Sequence, residues 1–309
     1  MFDIKRQTST ADAPAHVGSR LATEVVSPGG GLLRRAEAEN LLAKNSIAVW
    51  SAGGAAGKST IALNLAASLS TKGQRVALID ADTHSPALDL MLGLQQRTAG
   101  LLAIARLARQ ERYSDTEHER LVSRVGNGKN RVDFIAGLAS VARWSELESV
   151  GMQAACEQIS TRSDYQIFDL ASPLDSTLIE PEYATPRNLV TRFLLGHCST
   201  LVVVTTPDPV AIARLIAEFG ELRRQSAGRI LIVMNRFRTS VLGSNARRQL
   251  TDVLREHLGD LELFFVPDDP ALFDSALAKA TSVTWMRPRS QAARALRTLA
   301  SAVESTGPT

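Results

Sequence analysis

The run Ser51-Ala52-Gly53-Gly54-Ala55-Ala56-Gly57-Lys58-Ser59-Thr60 lies between the apolar run Ile47-Ala48-Val49-Trp50 and the stretch Ile61 to Leu69, whose apolar residues recur at helical spacing. Strand, turn of small residues and helix, in that order, restrict the chain to folds in which a helix N-terminus opens at the end of a core strand. Small residues let successive backbone N–H groups close around phosphate oxygens there. Lys58 supplies a positive charge, and the Ser59 hydroxyl can ligate Mg²⁺. The first glycine of the pattern G-x-x-x-x-G-K-[ST] is replaced by Ala52, at the cost of one methyl group. Gly57-Lys58-Ser59 alone could also open an ordinary helix. The strand before it and the carboxylates described below separate a phosphate site from that reading.

Beyond the loop the pattern alternates. Buried strands are predicted at Arg75 to Ile79, Arg131 to Ile135, Tyr165 to Phe168, Leu201 to Val204, Ile230 to Val233 and Leu261 to Val266. Helical stretches separate most of them, which predicts an α/β fold: a mostly parallel sheet with helices on both faces, the P-loop NTPase fold. Ligands of such sheets bind beyond the carboxyl ends of the strands. Residues 109 to 130 are polar and charged and are read as a surface helix and loop. Ser290 to Val303 reads as a terminal helix docked through Ala293, Leu296, Leu299 and Val303, with a membrane-surface anchor as the competing reading.

Two further features belong to the same crevice. The strand ending at Ile79 runs into Asp80-Ala81-Asp82, followed by the breaker Thr83-His84-Ser85-Pro86, and Asp169 follows Tyr165 to Phe168 in the same way. A turn or helix cap would also use such aspartates. Together with the loop they form a constellation for phosphoryl transfer, one carboxylate holding Mg²⁺ through water and another orienting an attacking water. Ser59, Asp80 and Asp169 are the candidate metal-side residues.

On Ser51 to Thr60, Leu78 to Asp82, Phe168-Asp169, Val202 to Pro207, Val233 to Arg236 and Val266 to Leu272, the chain resembles the MinD/ParA family of deviant Walker A ATPases from about residue 45 to 303. Within that family it most resembles the CpaE/TadZ-type branch associated with pilus assembly and polar positioning. The resemblance implies ATP and Mg²⁺ as cofactors and a catalytic set of Lys58, Asp82 and Asp169. Gly53, Gly54, Ala55, Ala56, Gly57, Lys58, Ser59 and Thr60 would cradle the phosphates. It makes Asp82 the residue that positions the hydrolytic water, Asn235 the adenine-side amide, and the Pro267 region the cover over the base. It also implies an ATP-dependent homodimer, a protein partner in positioning or assembly machinery, and service in pilus or secretion assembly, cell division or chromosome partitioning.

One position departs from the family pattern. The lysine that in such relatives reaches across a dimer to the partner's phosphates is replaced by Gly53, which predicts slow hydrolysis or a substitute cation. Arg187 and Arg238 are candidates, against the reading of both as solvated surface arginines. Gly53 also keeps open a noncatalytic nucleotide-binding scaffold. A metabolic kinase on the same loop ranks low, because no acceptor pocket is legible.

The remaining composition sets bounds. Arg223, Arg224, Arg229, Arg236, Arg238, Arg247 and Arg248 could bind DNA nonspecifically, but Glu218, Glu221, Asp252 and Glu256 lie among them, as on solvated helix faces. The net charge of +3 decides nothing. Cys156, Cys198 and the five histidines lack metal-ligand spacing. With no apolar run near the ~18 residues that span a bilayer, a cytoplasmic protein with at most peripheral membrane contact is expected. The expected organisation is a flexible arm and lead-in helix over 1–44, an ATPase domain over 45–303 and a tail over 304–309.

Overall fold

The computed structural model describes residue 42 and residues 45–95, 100–172, 174, 187–239, 243 and 245–305. The expected N-terminal arm, and all of the lead-in helix except Leu42, lie outside them. In chain order the strands and α-helices are β1 (Ser46–Trp50), α1 (Lys58–Ser70), β2 (Val76–Ala81), α2 (Leu88–Met91), α3 (Gly100–Arg109), α4 (Asp115–Leu121), β3 (Ser123–Asn127), β4 (Asn130–Ile135), α5 (Ser149–Ser160), β5 (Tyr165–Leu170) and α6 (Leu189–His197). They continue with β6 (Thr200–Thr205), α7 (Pro209–Gln225), β7 (Arg229–Phe237), α8 (Ala246–Leu258), β8 (Glu262–Pro267), α9 (Pro270–Ala278), α10 (Val283–Met286) and α11 (Gln291–Glu304).

Among the described residues the sheet has the order β3-β4-β2-β5-β1-β6-β7-β8, parallel throughout except for the β3–β4 pair. The period-2 geometry of a strand divides its side chains between two cores. Ala48, Trp50, Ile79, Phe168, Val203 and Met234 face one layer, packed with α3, α5, α6, α7 and α8. Ile47, Val49, Leu78, Ile167, Val202 and Val233 face the other, packed with α1 and α11. The two-sided sheet expected from the runs of Val, Ile and Leu is therefore present.

Helix starts follow local chemistry. Asp208 and Asp269 each accept a backbone N–H in the first turn of α7 and α9, with proline at the start of the helix, and Ser290 caps α11 in the same way. The terminal helix is docked: Leu296, Leu299, Ala300 and Val303 are buried with α1 in the second core. Residues 109–130 hold the expected surface helix, α4, but a strand in place of the expected loop. That strand, β3, pairs antiparallel with β4 to form one edge of the sheet. The turn between them has Gly128 at φ +58°, a left-handed position that glycine occupies without strain.

Because β1 lies between β5 and β6, and β2 lies beyond β5, the chain reverses its direction of travel across the sheet at β1. Adjacent loops diverge there and leave a crevice at the carboxyl ends of the strands. The loop after β1, the residues after β2 and the end of β5 all open into it.

Candidate functional site

The loop is anchored at its base by Ser51, whose hydroxyl donates to the Gly53 carbonyl at 2.7 Å and lies 3.0 Å from the Ser172 hydroxyl. Gly57 precedes α1 with φ +86°, and a Cβ on it would stand 2.4 Å from Asn235 Nδ2. Both the backbone angle and the space therefore require glycine there. Ala55 is also left-handed, at φ +64°, a strained angle for a residue with a Cβ. The first turn of α1 carries no acidic residue, so its N–H groups and the positive end of its dipole face the loop without an internal anion.

Lys58, the first residue of α1, donates from Nζ to Asp82 Oδ2 at 2.7 Å and lies 3.4 Å from Asp169 Oδ1. Burial opposes its charge, but attraction to Asp169 and Asp82 outweighs this and holds its pKa above the ordinary lysine value. Asp82 is fixed from its other side, where Oδ1 accepts the backbone N–H groups of His84 at 2.9 Å and Ser85 at 2.8 Å.

Asp169 is paired in register with both Val49 of β1 and Asp80 of β2. Its burial pushes its pKa up, opposed by Lys58 and by the Ser59 hydroxyl. Its Oδ2 is buried with no hydrogen-bond partner among the described residues. An orphaned carboxylate oxygen beside a hydroxyl suits a hard divalent cation that keeps most of its water, as Mg²⁺ does. Among the described residues no group of three or more His, Cys, Asp or Glu forms a metal cage. A cation here would thus rest on Ser59, Asp169, phosphate oxygens and water.

Asp80 has a different local role. Its Oδ1 accepts the Asp82 N–H at 3.2 Å, and its Oδ2 accepts those of Ala87 at 3.0 Å and Leu88 at 3.1 Å. It organises the turn that presents Asp82. Burial first, and the charge of Asp169 second, push its pKa up to about 7.

Two cavities flank the loop. One, of about 410 Å³, is lined by Gly57, Thr60, Asn235, Pro267 and Phe273 among others, so the residues expected on the base side lie together. Asn235 reaches it through an irregularity in the β7–β8 pairing between Met234 and Phe237, and its Nδ2 donates to the Ala56 carbonyl at 2.9 Å. The other, of about 520 Å³, is bounded by Ala52 to Ala56, by Val204 to Ala211, and by Arg214, Arg236 and Arg238. Of the two arginines singled out in the sequence, Arg238 borders both cavities and pairs with Asp268 at 3.3 Å. Arg187 lies on the Asp82 side, where its carbonyl accepts from Thr83 and its charge, after burial, depresses the His84 pKa. Arg214 carried no sequence signal, because it is one of several polar residues on an amphipathic helix.

The basic residues considered for DNA are mostly engaged. Arg224 pairs with Glu221, Arg229 with Glu262 and Arg248 with Asp252, and Arg247 lies over the Phe265 ring at 4.6 Å. Cys156 and Cys198 are buried thiols, and burial pushes both pKa values up. No helix among the described residues is long and apolar enough to cross a membrane.

A parallel sheet with a glycine-rich loop between its central strand and a helix, and aspartates on the two strands to one side, defines the phosphate-loop nucleotide-binding class. The family model "CobQ/CobB/MinD/ParA nucleotide binding domain" matches residues 47–282, and the chain belongs to that family. It is 28% identical over 231 residues to the septum site-determining protein MinD of Synechocystis sp., covering 74% of this chain and 78% of the relative. It is 26% identical over 234 residues to the flagellum site-determining protein YlxH of Helicobacter pylori, covering 75% and 71% respectively. The fold matches the crystal structure of a ParA family ATPase from Chlorobium tepidum TLS with a TM-score of 0.67 at 22% identity, over 84% of this chain and 99% of that one.

Proposed function

We propose that the chain is an ATP-driven switch of the MinD/ParA type, a nucleotide-dependent homodimer that positions other cellular machinery through a protein partner in the cytosol. Residues 45–303 form the ATPase domain. The observation that carries this reading is the placement of Lys58 between Asp82 and Asp169 at the mouth of the loop. A distal phosphate entering the loop competes with these carboxylates for the lysine. Asp82, held by two backbone N–H groups, is then available to orient water. Ser59 and Asp169 would hold Mg²⁺, with Asp80 ordering the turn behind them. The bound Mg²⁺ supplies neutralisation of charge on the transferred phosphoryl group. Asn235, Thr60 and Pro267 receive the base.

The machinery positioned is of the kind named for the relatives, at a division or flagellar site, or a pilus or secretion apparatus as in the CpaE/TadZ-like branch. Binding of nonspecific DNA is a subsidiary proposal, given how many of the arginines are paired. One specific observation favours a second reading, a nucleotide-binding scaffold without efficient turnover: Gly53 leaves the loop without its own forward-reaching lysine. Sedimentation with ADP and with ATP, alongside phosphate release, tests the proposal. A switch sediments as a dimer with ATP alone and releases phosphate above a Lys58→Ala control. ATP-dependent dimers with no release support the scaffold, and a monomer with both nucleotides refutes the switch.

A further inference from the structure

Gly53 is not glycine for the sake of its backbone, since it is absent from the left-handed glycines that include Gly57 and Gly73. What occupies its side-chain space is Arg214. A Cβ built on Gly53 would lie 3.3 Å from Arg214 Nη1 and 3.8 Å from its Cδ, whereas one on Gly54 would meet nothing within 4 Å. The guanidinium of a helix distant in sequence therefore lies along the phosphate loop, where a side chain at position 53 would begin.

The surroundings leave that cation directed at the loop. On α7, Ile212, Leu215, Phe219 and Leu222 are buried and fix the helix against the sheet, and the neighbouring flank, with Val210, Ala211 and the exposed Arg214, borders the cavity. Arg214 has no ion pair or hydrogen bond among the described residues, unlike Arg224 on the same helix. It shares the 520 Å³ cavity with Arg236 and with Arg238, which pairs with Asp268 at 3.3 Å; the one carboxylate lining the cavity, Asp208, caps α7 by accepting from Ala211 N at 2.9 Å. An exposed, unpaired guanidinium beside the backbone N–H groups of the loop suits a phosphate oxygen, which a planar fork can grip with two hydrogen bonds.

We propose that Arg214 is a further phosphate-contacting residue, supplying to the distal phosphate of a loop-bound nucleoside triphosphate the cation that position 53 does not provide. The inference rests on the nucleotide-binding reading above and adds to it the source of triphosphate-over-diphosphate preference. Because Arg214 occupies the space at position 53, a lysine placed there would start where the guanidinium now lies, and the two cations should not act additively.

The test is calorimetry of MgATP and MgADP, with sedimentation in parallel, on wild type, Arg214→Ala, Gly53→Lys and the double variant, with thermal unfolding as a folding control. Arg214→Ala should weaken ATP binding or the ATP-dependent dimer about tenfold while ADP binding stays within about threefold. Gly53→Lys should restore ATP preference in the Arg214→Ala background and add little in wild type, a non-additivity expected of two groups at one place. Arg214→Ala with unchanged ATP affinity and unchanged ATP-dependent sedimentation would overturn the assignment, as would equal losses for ATP and ADP. A Lys58→Ala control separates the two levels: if it binds ATP as wild type does, the nucleotide reading fails, and not merely the role of Arg214.

Discussion

Asp82 Oδ2 lies 2.7 Å from Lys58 Nζ, so the carboxylate that would orient water also holds the lysine that would grip phosphate. The pair is close to fully desolvated, with side chains 6% and 13% exposed, and an incoming anion has to exchange one partner of Lys58 for another.

That exchange gives the first prediction. Asp82→Asn removes the competing charge without removing side-chain volume, so ATP should bind roughly threefold to tenfold more tightly while phosphate release slows at least ~10-fold. Calorimetry and a phosphate-release assay on the same preparation check it. Weaker ATP binding would show that Asp82 does not compete for Lys58.

Gly57→Ala is expected to fail for two independent reasons, the φ of +86° and the 2.4 Å approach to Asn235 Nδ2. The added methyl must displace the amide that ties β7 to the Ala56 carbonyl, at a cost of about 2 kcal/mol or more. Denaturant unfolding should register that loss, and nucleotide binding should fall with it.

Ala55→Gly should act in the opposite direction. Its φ of +64° is strained for alanine and relaxed for glycine, and the side chain is exposed, so no packing is lost. A gain of up to about 1 kcal/mol is expected in unfolding free energy, with ATP affinity unchanged. A destabilised Ala55→Gly variant would contradict the loop conformation.

Much of this site could be read along the chain. The loop, the aspartates at strand ends and the Asp-Pro helix starts at Asp208 and Asp269 are all local signals, because each requires neighbours only a few residues away. The β3 edge strand is hard to read because Ser123, Arg124 and Asn127 carry no apolar alternation, although glycine at the first position of a two-residue turn, Gly128-Lys129, is a hairpin signal. Asp80 was legible as an aspartate at a strand end, but not as the acceptor of three backbone N–H groups in the turn beyond it. The Arg214 guanidinium over Gly53 was invisible, because it depends on how α7 packs on the sheet and not on any spacing. Local chemistry shows in sequence; contacts made by tertiary packing do not.

Asp80 supplies a pH prediction. Its folded pKa of about 7 exceeds the unfolded value of roughly 4. The native state therefore holds that proton more tightly, and the contribution to stability is full below about pH 4 and declines as pH rises through about 7. Asp80→Asn does not titrate. Across about pH 4.5 to 8 the unfolding free energy of wild type should fall relative to Asp80→Asn by roughly 1–3 kcal/mol. Denaturant titrations at several pH values read this directly, and a constant difference would mean that Asp80 stays ionised throughout.

The most direct measurement of the whole account is calorimetric titration of MgATP into wild type and Lys58→Ala, at a temperature where both are shown to be folded. Loss of Lys58 leaves Asp82 and Asp169 without their cation, so the variant should also unfold more easily by about 3 kcal/mol. The account predicts saturable one-to-one binding to wild type and a loss of at least ~100-fold in Lys58→Ala, as expected when a desolvated charge pair with phosphate is removed. ATP binding of equal strength to the two proteins, or none to wild type, would contradict it.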